Sequence, residues 1–179
     1  MNIIILGLPG SGKTYFADKL ASKISGLRIS SDTVRNHMQQ INKYDEVAKM
    51  EVYYEMLKLM EKAISNNQNV VLDGTFYKEN IRNIFKEKAI MLNSSLSFIE
   101  IRANSSVIKG RLKKERKESE ANFKVYLKIK GLFEPLSEKH LILYSDKGTL
   151  DEMQDKALAY INYTDGTVAD SNINWKRDI

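Results

Sequence analysis

The chain contains no cysteine. That absence excludes disulfides and cysteine-based metal sites, and it suits a reducing compartment, so a cytoplasmic location is the expectation. Proline is scarce as well: Pro9 and Pro135 are the only two, which leaves no proline-rich linker. No apolar run approaches the roughly 20 residues a membrane-spanning helix needs. The run nearest the amino terminus, Ile3-Ile4-Ile5-Leu6, is four residues long with no basic residue before it, and it reads as a strand rather than a leader. Internal repeats and low-complexity stretches are missing too. The two histidines, His37 and His140, stand alone without metal-ligand spacing, which assigns them surface or structural roles.

What is present belongs to an ordinary globular protein. At 179 residues, 42% hydrophobic and 28% charged, the chain is long enough for one domain with a real core. Its net charge of +5 is unevenly placed. Nine basic residues (Lys109, Arg111, Lys113, Lys114, Arg116, Lys117, Lys124, Lys128 and Lys130) outweigh Glu115, Glu118 and Glu120, so this stretch carries +6 and the remainder −1. A localised anion-facing element is one reading of that imbalance, and a solvated helix face is the other.

Short apolar runs alternate with longer helical patterns, which predicts an α/β fold with a mainly parallel, five-stranded sheet flanked by helices in three layers. Strands are expected at residues 2–6, 27–30, 69–73, 95–101 and 141–145. Helices are expected at 13–24, 33–40, 45–66, 78–89, 105–117, 120–132 and 149–162. Met50, Met56, Leu57, Met60 and Ile64 form the buried stripe of the longest helix. Tyr53 and Tyr54 are adjacent, so one belongs in the core and the other outside. The principal domain is expected to span 1–162, followed by a polar tail, 163–179.

Gly7-Leu8-Pro9-Gly10-Ser11-Gly12-Lys13-Thr14 fits G-x-x-x-x-G-K-[ST], the Walker A loop. A β-branched strand precedes it, and Phe16, Leu20 and Ile24 follow four apart on one helical face. Glycines allow backbone N–H groups to turn inward as a nest for phosphate oxygens, and the start of the next helix adds its positive dipole end. Lys13 has the reach for β- and γ-phosphates, and the Thr14 hydroxyl suits Mg²⁺. This predicts binding of a nucleoside triphosphate.

Ligands in such sheets sit beyond the carboxyl ends of the strands. Asn69-Val70-Val71-Leu72-Asp73 closes an apolar strand on a carboxylate, the Walker B pattern. Asp73 holds Mg²⁺ on one reading and orients an acceptor on the other. Gly74 and Thr75 come next, with no glutamate to activate water, which argues against a motor or transporter ATPase. In Asp32-Thr33-Val34-Arg35 an acid and an arginine stand three apart at a helix start. Asp32 is either an N-cap or an acid placed to take a proton from a hydroxyl. Arg35 can grip an anionic part of the acceptor in two prongs. Asn42-Lys43-Tyr44-Asp45 spells N-K-x-D, but it comes too early, and without a D-x-x-G switch, to read guanine.

With Val71-Leu72-Asp73-Gly74-Thr75-Phe76, Arg82, Arg111-Leu112, Ser119-Glu120-Ala121 and Phe133-Glu134-Pro135 added, residues 1–160 resemble the small P-loop kinases of the AAA-domain type. These are similar to zeta toxins, chloramphenicol phosphotransferase and the polynucleotide 5′-kinase domain. The resemblance implies a P-loop NTPase fold with a helical lid at about 104–132, and ATP and Mg²⁺ as cofactors. Asp32 is then the base, Lys13, Arg111 and Arg116 act on the transferring phosphate, and Arg35, Asp73, Thr75 and Arg82 hold the acceptor. Family lids often carry arginines four apart, whereas Arg111 and Arg116 are five apart. The expected activity is phosphoryl transfer from ATP to a hydroxyl on a small molecule or a nucleic-acid 5′ end. The alternative is an ATP-binding switch that transfers nothing.

Overall fold

The computed structural model describes residues 1–39, 45–113, 123–164 and 166. Asn42, Lys43, Tyr44 and Arg116 lie outside the described residues, as does nearly all of the expected tail.

The strands are β1 (Asn2–Leu6), β2 (Leu27–Ser30), β3 (Val70–Asp73), β4 (Ser97–Arg102) and β5 (Leu141–Tyr144). They form one sheet ordered β2-β3-β1-β4-β5, and every neighbouring pair is parallel. The helices are α1 (Lys13–Lys23), α2 (Ser31–His37), α3 (Glu46–Ser65), α4 (Glu79–Met91), α5 (Ser105–Leu112), α6 (Phe123–Leu132) and α7 (Leu150–Thr164). The five strands fall where the apolar runs predict, with β4 starting two residues later than the expected 95–101.

β1 is buried along its whole length because helices cover both faces of a parallel sheet. Its side chains alternate between the two cores. Ile3 and Ile5 join Val71, Ile99, Phe16, Leu20, Ala157 and Ile161 on the face of α1 and α7. Ile4 and Leu6 join Leu72, Phe98, Val52, Met56, Met60, Ile81 and Phe85 on the face of α3 and α4. The methionine stripe is therefore core, with Met56 and Met60 fully buried, and Tyr53 lies inside while Tyr54 is 51% exposed. Asp45 caps α3, its carboxylate accepting from the Ala48 N–H at 2.9 Å.

One boundary differs from the sequence expectation for a clear local reason. α2 begins at Ser31, two residues earlier than predicted, because the extended Ser30 serves as last strand residue and N-cap together. α5 covers Ser105–Leu112, and residues 114–117 of its predicted span lie outside the described residues. Among the described residues no helix is long and apolar enough to cross a membrane.

Strand order fixes where a ligand can enter. The chain leaves β1 toward β2 on one side and leaves β3 toward β4 on the other, so the crossovers diverge beside the carboxyl end of β1. A crevice opens at such a switch point, and the glycine-rich loop begins there with Gly7.

Candidate active site at the phosphate loop

The loop between β1 and α1 needs its glycines for stated reasons. A Cβ on Gly7 would collide with the Ile101 carbonyl of β4. Gly12 has φ 93°, in the left-handed region, as the N-cap of α1. Gly12 has no side chain to cap the helix, and the first turn of α1 carries no acid. The opening amides of this 11-residue helix therefore form an anion-binding end.

Two cavities meet at this helix start. One, of about 390 Å³, lies toward α7 and is lined by Gly10, Gly12, Tyr15, Arg111, Ser145 and Met153. The other, of about 110 Å³, lies toward α2 and α3, and its wall includes Asp32, Arg35, Lys49, Tyr53 and Thr75. Lys13 and Thr14 line both. The larger volume falls within the roughly 300–1,000 Å³ of ordinary ligand sites.

Asp73 ends β3 at the rim of the smaller cavity and is 1% exposed. Its Oδ1 accepts from the Thr14 hydroxyl at 3.5 Å, and its Oδ2 pairs with Arg28 at 3.2 Å. A hydroxyl and a carboxylate oxygen side by side, with phosphate-binding amides adjacent, form a donor set of the type Mg²⁺ uses alongside substrate oxygens. The residues present therefore fit that ion.

Asp32 sits in the first turn of α2, one residue after the helix begins, because Ser30 takes the N-cap position. It faces the small cavity together with Arg35, which is 9% exposed. The structure thus brings Lys13, Thr14, Asp32, Arg35, Asp73 and Thr75 to one cavity.

Two arginines stand elsewhere. Arg111 lines the larger cavity, where its guanidinium donates to the carbonyls of Gly10 at 3.3 Å and Ser11 at 3.2 Å, and to the Ser145 hydroxyl at 2.8 Å. The Ser145 hydroxyl in turn donates to the Ser11 carbonyl. Arg111 is thereby tied to the phosphate loop from α5. Arg82, expected to hold the acceptor, lines neither cavity. It is fully buried and donates to the Phe76 carbonyl at 3.0 Å and the Pro135 carbonyl at 2.9 Å, with Glu138 at 3.7 Å. Buried guanidinium groups call for partners, and the protein's own chain holds two nitrogens of this one, while its Nε faces Glu138 without a hydrogen bond.

Several neighbours escape the sequence reading. Lys49 of α3 is 8% exposed and donates to Tyr77 Oη at 3.0 Å and Glu46 Oε1 at 3.1 Å. Tyr77, whose oxygen accepts from Lys49, donates to Glu46 at 3.2 Å. Lys78 takes the other Glu46 oxygen at 2.7 Å. Those two lysines, Lys78 first, hold the Glu46 carboxyl down to about 2. Burial pushes the Tyr77 phenol up, with Glu46 adding to the effect, and burial pushes up Tyr53 as well, so both rings stay neutral. Tyr53 Oη accepts from the Phe76 N–H at 3.1 Å and lies 3.3 Å from Thr75 Oγ1, fixing that hydroxyl on the cavity wall. One signal does mark Lys49. It stands four residues before Tyr53 and seven before Met56, so it continues the buried stripe where a lysine is out of pattern.

Residues 3–136 match the family described as AAA domain. Comparison with the curated proteins gives no match. Among solved structures, an unliganded sugar kinase from Janibacter sp. HTCC2649 has a TM-score of 0.72 at 17% identity, covering 94% of this chain and 98% of its own. A gluconokinase from Sinorhizobium meliloti 1021 has a TM-score of 0.64 at 18% identity, covering 93% of this chain and 94% of its own. An APS kinase from Mycobacterium tuberculosis in complex with AMPPNP and APS has a TM-score of 0.69 at 12% identity, covering 90% of this chain and 96% of its own. At these identities the likeness is one of fold.

Proposed function

This chain belongs to the AAA-domain family, matched over residues 3–136, and from that premise we propose that it is an ATP- and Mg²⁺-dependent kinase that phosphorylates a hydroxyl group. One observation carries the reading: two cavities of unequal size join at Lys13 and Thr14, with a carboxylate, Asp32, in the smaller. A switch protein needs one nucleotide site. A transferase needs a second site that meets the first at the phosphate being moved.

The larger cavity takes the nucleotide, with its phosphates on the loop amides of residues 7–14. Lys13 follows the β- and γ-phosphates. Thr14 and Asp73 would hold Mg²⁺, which supplies charge neutralisation on those phosphates. In the smaller cavity Asp32 accepts the proton of the acceptor hydroxyl. The hydroxyl oxygen forms the new bond to the γ-phosphorus, the bond from phosphorus to the β,γ-bridging oxygen breaks, and ADP departs with that electron pair. Arg35 and Thr75 hold the acceptor. Arg111, already on the loop, is the arginine set to offset charge in transit, a role worth about 10³–10⁵ in rate where it is measured.

The working unit in this reading is residues 1–162, with its lid at about 104–132, of which residues 114–122 lie outside the described residues. The likeness to a sugar kinase, a gluconokinase and an APS kinase supports a small-molecule acceptor over a nucleic-acid end. In this reading the chain is also similar to zeta toxins and the polynucleotide 5′-kinase domain, in which the acid matching Asp32 takes the proton of the acceptor hydroxyl. The test is Asp32→Asn. ADP release stimulated by an acceptor should fall by about 10²–10⁴, the usual span for a general base, while Mg-ATP affinity measured by calorimetry changes less than threefold. Undiminished turnover removes Asp32 from the chemistry. ATP binding by the wild type with no acceptor-stimulated turnover favours the switch.

A further inference from the structure

The smaller cavity is cationic beyond what phosphoryl transfer uses. Lys13, Arg35 and Lys49 line it against Asp32 and Asp73, and Asp73 is already countered by Arg28. Lys13 belongs to the nucleotide phosphates. Arg35 and Lys49 are then two buried cations on the acceptor's side of the cleft, 9% and 8% exposed. A buried ammonium such as that of Lys49 calls for an acceptor at each of its N–H groups. Glu46, the anion beside Lys49, is shared with Lys78. Lys49 has three N–H donors and spends two on Tyr77 and Glu46. Among the described residues its third N–H meets no acceptor, which leaves it for what enters the cavity that Lys49 lines.

Size narrows the occupant further. A dry cavity of about 150 Å³ admits benzene, so the 110 Å³ here, open to the larger cavity's side at Lys13 and Thr14, is on the scale of a small molecule of a few carbons. Pro9, Val125 and Ile129 make part of the wall apolar, which fits a short carbon chain and not a nucleoside, whose sugar and base far exceed the space.

We propose that the phosphate acceptor is a small hydroxylated anion, of the size of a three- or four-carbon hydroxy acid, and that Lys49 with Arg35 selects it by its charge. This rests on the kinase reading above. The anionic group lies between Lys49 and Arg35, and the hydroxyl turns toward Asp32, which takes its proton as the oxygen bonds to the γ-phosphorus and ADP leaves.

The experiment measures ADP release at saturating Mg-ATP for acceptors paired by size and differing in charge. D-glycerate is set against glycerol, and L-threonate against threitol. Longer hydroxy acids up to six carbons, their neutral alcohols and a 5′-hydroxyl oligothymidylate complete the panel. The acids should exceed their neutral partners at least tenfold in kcat/KM. Lys49→Gln should raise the acceptor KM tenfold or more with kcat within about threefold, and Lys49→Arg should recover most of the loss. Equal use of charged and neutral partners, preference for the oligonucleotide, or an unchanged KM in Lys49→Gln each overturns the charge selection and leaves the kinase standing. If Lys49→Gln does not fold, the wild-type comparison decides alone. Silence from the whole panel with ATP still bound removes the kinase reading, and this inference with it.

Discussion

Arg82→Met separates two roles that the sequence alone confuses. The side chain joins the β3–α4 turn to the α6–β5 connection through the Phe76 and Pro135 carbonyls. Nearby bonds reinforce the junction: the Glu134 N–H donates to the Tyr77 carbonyl at 2.8 Å, and the Ser137 hydroxyl to Glu79 at 2.9 Å. Hydrogen bonds to a charged donor contribute about 1.5–3 kcal/mol each. Removing one partner of a buried pair costs about 3–5 kcal/mol. Glu138 keeps Lys86 at 3.0 Å, so it is not stranded, and methionine replaces most of the lost volume. The loss should therefore be about 3–4 kcal/mol, near the lower end of those ranges. For a chain of this length each kcal/mol moves Tm by about 2–4 °C, so Tm should fall by about 10 °C. Thermal and urea melts followed by circular dichroism measure this, and ADP-release kinetics well below the lowered Tm should show an acceptor KM within threefold of wild type. A Tm shift below about 2 °C with a tenfold higher acceptor KM would refute the reasoning and return Arg82 to the acceptor.

Asp73→Asn should raise the Mg²⁺ concentration for half-maximal activity at least tenfold while metal-free ATP still binds; an unchanged Mg²⁺ titration assigns the ion elsewhere. Arg111→Met should lower kcat by about 10³ with ATP affinity changed less than tenfold, and a kcat within threefold of wild type would make Arg111 a brace of the loop only. Glu46→Gln probes pH dependence. The folded-state pKa of Glu46 is depressed from 4.5 to about 2, so its stabilisation is present above pH 4.5 and is lost as pH falls toward 2. The side chain is 58% exposed, so screening holds the effect to about 1 kcal/mol or less. Urea melts of wild type and variant should differ at pH 7 and converge toward pH 2; a gap that persists at pH 2 would point to packing rather than charge.

Much of this site could be read before any fold was seen, because its chemistry is written in local order. The glycine spacing, the strand before it and the helix after it lie within the first 24 residues. Asp73 and Asp32 follow apolar strands directly, so knowing the strands places both acids at one edge of the sheet. The parallel sheet was legible for the same reason, though not its strand order: β1 and β3 are continuous apolar runs, as central strands covered on both faces must be. Arg28 was not legible. It sits on β2 three positions in sequence from Ser31, and its pairing with Asp73 arises only because β2 lies beside β3. Ser145 meets Ser11 across 134 positions, a contact no local pattern encodes.

Out-of-pattern charges show where sequence reasoning stops short. Arg35, Lys49 and Arg82 are all cations on faces their helices bury. Each violates the hydrophobic period, and such violations gather at sites or at structural joints. Periodicity cannot tell the two apart; the partners can. Arg82 has peptide carbonyls and a carboxylate of its own chain around it, and it lines neither cavity. Lys49 has a hydroxyl and half of a shared carboxylate, and it borders open volume beside Asp32. The cation held by its own chain away from both cavities is the joint, and the one that borders open volume is the candidate for the selector proposed above.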